Sequence, residues 1–209
     1  MKFDPELKKA ISLLPSAEKD KLIFRLLKYD LDLANRLSFQ LLSTKNVRDK
    51  RHEVEVYIKE EMERSERRFY SLGYVLVDLR YISGTITEHV RITQDKFGEP
   101  FLNLLMLTEA LKRYNEKMKQ ATLDKSYTLN IYIIARTFKI LVLIKVLHED
   151  YMIEFEKQLI ELGQSISSNP QLMKVAVCNG FDVNWLLNAA IPDNISDIHK
   201  DVRKRGLLK

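Results

Sequence analysis

Apolar side chains recur at spacings of three and four along most of the chain. No strand-length run alternates apolar with polar residues between turns. The pattern predicts helices throughout. One clear stripe is Leu72, Leu76, Leu79, Ser83, Ile86 and Val90. A second is Ile134, Phe138, Leu141, Lys145, His148, Met152, Phe155, Leu159 and Leu162. Alternating fours and threes mark helices packed side by side. The second stripe predicts one rod from about Lys125 to Leu162, ended by Gly163, with an apolar first half lying in the middle of a bundle. Another helix, from Phe101 to about Gln120, follows a turn at Phe97–Gly98–Glu99–Pro100. Gly73 and Gly84 interrupt the first stripe. An interior glycine costs about 1 kcal/mol relative to alanine, so either a neighbouring helix approaches closely there, which is the expectation, or the helix breaks near Ser83–Gly84.

Residues 1–43 read as three short amphipathic helices. Their stripes are Leu7, Ala10, Ile11 and Leu14, then Leu22, Ile23, Leu26 and Leu27, then Leu33, Ala34, Leu37 and Leu41. Asp4–Pro5 opens the first, and Pro15–Ser16 separates it from the second. Residues 44–68 predict a charged helix with a thin stripe at Val47, Val54 and Ile58 that can continue straight into the next helix. Glu60 precedes Arg64 by four and Glu63 precedes Arg67 by four, an order that favours helix by about 0.2–0.5 kcal/mol per pair. Residues 164–170 read as a linker, and short helices and a basic tail follow. The expected fold is all-α, a helical bundle built on two or three long helices with short helices at both ends. Its units are 1–43, 44–168 and 169–209.

Composition supports this reading. Six glycines and five prolines are too few for the turns of a β-sandwich, while 45% hydrophobic residues suffice for a core. The single cysteine, Cys178, can form no disulfide within the chain and is expected as a small buried hydrophobe. Asp4 and Glu6 stand where a secretory signal needs an apolar run. The most apolar stretch, residues 131–147, is interrupted by Arg136, Lys139 and Lys145, which favours a buried helix over a membrane span. The cytoplasm is the expected compartment, with no membrane partner. The net charge of +5 is concentrated: the last ten residues carry +4, which leaves +1 for all the rest.

Familiar catalytic patterns are missing. The sequence holds no GxxxxGK[ST], no HExxH, no GxSxG and no paired-cysteine motif. No catalytic residue, metal ligand or cofactor is therefore expected. Arg136 and Lys145 sit in an apolar helix and Asp78 in an apolar run, and a buried charge must be paired or reach solvent. A pair between Asp78 and Arg136 is one expectation, with each snorkelling to water as the alternative. Asp78, Arg136, Lys145 and His148 together form a candidate interior polar cluster. His89, on a face with Val75 and Ile82, reads as a packed histidine bonded to a neighbour. Two basic clusters are candidates for anion or nucleic-acid contact: Lys45, Arg48, Lys50 and Arg51, and Arg203, Lys204 and Arg205.

The leading functional expectation is a non-enzymatic cytoplasmic helical interaction or scaffold protein, with a protein partner or a second copy of itself. Tyr70, Tyr74, Tyr81 and Tyr132 suit a partly polar interface. The alternative is a nucleic-acid-associated regulator using the basic clusters. A third reading is an enzyme or small-ligand carrier with an anion pocket around Arg136, Lys145 and His148.

Overall fold

The computed structural model describes residues 3–208. Among them are eleven α-helices and no strand. α1 (Pro5–Leu13), α2 (Ser16–Tyr29) and α3 (Leu31–Leu42) form an N-terminal arm. The body is built on four long helices rather than two or three: α4 (Val47–Arg67), α5 (Leu72–Thr93), α6 (Gly98–Gln120) and α7 (Leu123–Lys145). α8 (Met152–Ser167), α9 (Pro170–Cys178), α10 (Asn184–Leu187) and α11 (Ile195–Lys204) complete it.

α6 and α7 are the centre. α6 packs against α4, α5, α7 and α8, and α7 against α5, α6, α9 and α11. Leu102, Leu104, Met106 and Leu107 show why α6 can have so many neighbours, since each is fully buried and they point in several directions around the helix. α7 is long and apolar enough to cross a membrane, and 56% of its most apolar stretch is buried inside the bundle. α4 buries only Ile58, Met62 and Ser65 and leaves its charged faces in water, where Glu60–Arg64 and Glu63–Arg67 pair.

The predicted rod from Lys125 to Leu162 is two helices. α7 ends at Lys145, and a 3-10 turn over Glu149–Tyr151 precedes α8. The stripe of fours and threes runs through Lys145 and His148, both exposed, so nothing apolar holds the helix together there. His148 caps the 3-10 turn instead, its Nδ1 accepting from the Asp150 N–H at 3.4 Å. α4 does not run on into α5 either. The chain breaks at Phe69–Ser71, and Ser71 caps α5.

The glycines have other roles than expected. A methyl group at Gly84 would meet nothing within 4 Å, and at Gly73 only the Ser71 hydroxyl at 3.6 Å. The close approach is at Gly163, which lies inside α8 rather than ending it. A Cβ there would sit 2.9 Å from Leu186 Cβ and 3.1 Å from the Leu187 N of α10. Gly163→Ala should therefore destabilise the protein by about 1–2 kcal/mol in denaturant titration. Overpacking against backbone outweighs the roughly 1 kcal/mol alanine gains in a helix. A stabilised variant would show that α10 yields freely. Gly98 opens α6 rather than ending α5, whose cap is Gln94 in the left-handed region (φ 57°).

Residues 164–170 are mostly helix, not linker. α8 runs to Ser167, and Asn169, fully buried, caps α9 by accepting from the Gln171 and Leu172 N–H groups. Its amide also donates to Asn115 Oδ1 of α6 at 2.7 Å. Cys178 is exposed, not buried, because it falls on the outer face at the end of α9.

Candidate functional site

Three polar networks use up most of the residues that the sequence offers as functional. The first joins the start of α4 to the α5–α6 connection. Arg51 Nε and Nη2 donate to the two Asp95 carboxylate oxygens at 2.7 and 2.8 Å, and the Gly98 N–H donates to Oδ1 at 2.8 Å. His89 Nε2 lies 3.1 Å from Asp95 Oδ2. Asp95 and His89 are buried, and the Arg51 guanidinium stacks 4.6 Å over Phe97. Burial pushes the Asp95 carboxyl up, but the bonds from His89, Arg51 and Gly98 more than offset it and hold it down to about 2. This histidine–carboxylate pair is enclosed and fully engaged, so it fastens helices and has no face for a substrate.

The rest of the first basic cluster is largely neutralised. Lys45 and Lys50 both pair with Glu53. Arg48 makes no ion pair among the described residues. It lines a surface depression of about 760 Å³ that also contains Glu53, Glu55 and Glu154. Acids and bases alternate there, so no coherent field faces a polyanion.

The second network explains Asp78. Its Oδ2 accepts from the Ser65 hydroxyl at 2.5 Å, and Ser65 Oγ accepts from Tyr114 at 2.8 Å. One chain of hydroxyls thus ties α4, α5 and α6. Burial raises the Tyr114 pKa, opposed by its bond to Ser65. Asp78 does not pair with Arg136, because Ser65 on the facing α4 reaches it first. Nor does an interior cluster form. Lys145 is at the end of α7 and pairs with Asp193 at 2.6 Å, and His148 is exposed.

The third arrangement is a surface groove of about 430 Å³ between α7 and α11, lined by Tyr132, Ala135, Arg136, Lys139, His199 and Arg203. Arg136 and Arg203, from two different candidate groups in the sequence, meet here. Arg136 Nη1 donates to Asn103 Oδ1 and Nη2 to the Tyr132 hydroxyl, both at 3.3 Å, and its guanidinium stands 5.3 Å over the Tyr132 ring. Arg203 Nη1 donates to the Leu208 carbonyl at 2.9 Å. Lys139 pairs with Glu99 at 2.7 Å. His199 stacks on Phe138 with ring centroids 5.4 Å apart, and its pKa is lowered by burial and then by Arg203. The other members of the tail cluster face elsewhere, since successive helical residues fan out by about 100°. Arg205 pairs with Asp201, Lys204 makes no ion pair among the described residues, and the tail's last base, Lys209, lies outside them.

Sequence reasoning did not find Ser65, Asp95, Tyr114 or His199. A serine, an aspartate and a tyrosine at ordinary helical positions carry no pattern, and each gains its role from a partner on another helix. Among the described residues no group of three or more His, Cys, Asp or Glu side chains could hold a metal ion. The arm is a further kind of site. No residue of α1, α2 or α3 is buried, although each helix is amphipathic. No known protein family, curated protein or solved structure matches the chain.

Proposed function

We propose that the protein is a non-enzymatic helical interaction protein of the cytoplasm that associates with a second copy of itself through the α1–α3 arm. One observation carries this reading. Among the described residues, eleven of the twenty-two exposed large hydrophobics lie in residues 3–42, among them Leu7, Ile11, Ile23, Phe24 and Leu26. Exposed large apolar side chains concentrated in one segment support an interaction site. Of the stripes that predict these helices, Leu7, Ile11, Ile23, Leu26 and Leu41 are exposed, while Leu14, Leu22, Leu27, Leu33 and Leu37 are half-buried.

A second copy fits because the chain also offers the complementary surface. α3 packs on α5 and Arg91 of α5 pairs with Asp32 of α3 at 2.8 Å. Elsewhere on α5 an aromatic ridge of Tyr74, Val77 and Tyr81, continued by Tyr70, is exposed. Spacings of three and four place Tyr74, Val77 and Tyr81 on one face, and the Tyr70 ring, from just before the helix, packs edge-on against Tyr74 at 5.2 Å. Tyrosines with an apolar ring and a polar tip suit a face that is wet in the monomer and covered in an assembly.

Light scattering coupled to size exclusion tests this. The full chain should run as a dimer or larger. The variant combining Leu7→Ser, Ile11→Ser, Ile23→Ser and Leu26→Ser should run as a monomer with an unchanged unfolding midpoint of the body. A full chain that stays monomeric at the highest attainable concentration overturns the reading, and so does a variant that still assembles.

A further inference from the structure

We propose that the groove between α7 and α11 binds a small ligand through a dianionic phosphate group, held by Arg136 and Arg203. The argument rests on charge that the fold leaves uncompensated. Among the described residues no carboxylate lines the groove, and of its three cationic side chains only Lys139 has an acidic partner. Arg136 is bonded to an amide oxygen and a phenol, and Arg203 to a backbone carbonyl. These neutral acceptors satisfy N–H groups but cancel no charge, and guanidinium keeps its proton at any physiological pH. Two like charges are thus gathered in one concave place.

The geometry selects the class of ligand. Guanidinium forks match the planar edges of carboxylate and phosphate, and two of them without an acid call for a dianion. A phosphomonoester is mostly dianionic near neutral pH, whereas a carboxylate or a nucleic-acid phosphodiester carries one charge. The Tyr132 hydroxyl accepts from Arg136 and donates to the Leu79 carbonyl, so it orients the guanidinium from behind. His199 stands in the groove as a side chain that burial and Arg203 keep from charging easily, so the fixed positive charge there belongs to the arginines and Lys139. The groove of about 430 Å³ is in the range of small-molecule sites and leaves room for the body of the ligand beyond its phosphate.

The test is a titration of the full chain at low ionic strength, with inorganic phosphate, glycerol phosphate and a single-stranded RNA oligonucleotide as probes. The imidazole signals of the four histidines are followed by NMR, with His199 assigned from His199→Gln. Saturable movement of the His199 signal with phosphate or glycerol phosphate is expected. Saturation by glycerol phosphate alone places recognition in the ester, and saturation by both places it in the phosphate itself. Arg136→Gln and Arg203→Gln should each weaken binding by about tenfold or more, and Arg48→Gln should leave it unchanged. Arg203 is exposed, so its variant keeps the test decisive should loss of the half-buried Arg136 disturb folding. Absence of a saturable shift overturns the proposal, as does full affinity in Arg203→Gln. RNA binding that phosphate does not compete away overturns it in favour of a nucleic-acid surface.

Discussion

Asp95→Ala should cost about 3–5 kcal/mol of stability, the penalty for leaving a buried charge without its partner. Arg51 is only 17% exposed at its side chain and Asp95 4%, so Arg51 cannot turn to water without leaving Phe97. The same carboxylate also takes the Gly98 N–H that starts α6, and a side chain at position 98 would place its Cβ 2.1 Å from Asp95 Oδ2. In thermal unfolding the loss should appear as a drop of about 10 °C for a chain of this length. The pH dependence is a second check. Because the folded pKa of about 2 lies below the ordinary aspartate value, the carboxylate stabilises the fold above about pH 4. That contribution, about 2 kcal/mol, is lost as pH falls from about 4 through 2. The wild-type acid-unfolding curve should show this component and the Asp95→Ala curve should lack it. A variant within 1 kcal/mol of wild type at pH 7 would mean that the Arg51–Asp95 contact is not formed in solution.

Phe138→Ala should be of comparable size, about 3–5 kcal/mol, and different in kind. Phe138 is fully buried on α7 and meets three rings that arrive from later in the chain. Phe181 is edge-on at 4.9 Å, Trp185 edge-on at 5.9 Å, and His199 stacked at 5.4 Å. This ring is therefore the post on which the C-terminal helices hang. Its removal should loosen α10 and α11 before the α4–α7 bundle yields. The chain has one tryptophan, so Trp185 fluorescence reports that region alone. A red-shifted emission at denaturant concentrations that leave the far-ultraviolet helical signal intact is the expected result. Coincident loss of both signals would show that the C-terminal helices are as firmly held as the rest. Since α11 forms one wall of the groove, the same variant should also lose phosphate binding.

Much of the architecture was legible in the sequence. Helix period, caps and breakers are local. Asp4–Pro5 and Pro15–Ser16 delimit helices because each acts on the backbone within a turn of itself. Stripe residues such as Leu79, Ile86, Phe138 and Leu159 are buried as their spacing predicts. His89 is enclosed and bonded to a neighbour, as its place on the face of Val75 and Ile82 suggests.

Tertiary structure decided what spacing cannot carry. The apparent rod through residues 125–162 broke at Lys145–His148 because a stripe continues on paper through any residue, whereas a helix continues only where something packs on it. The partner of Asp78 was Ser65 rather than Arg136, since a hydrogen bond is chosen by the distance between helices and not by the charge along one of them. Arg136 and Arg203, 67 positions apart, met in a groove only because α11 folds back onto α7. The sequence by itself determined that this protein is helical and where most helices begin, through interactions within a few residues. Which apolar faces are covered, which charges are cancelled, and which are left facing the surrounding water depended on the packing of the whole chain, because burial and pairing are properties of neighbours in space.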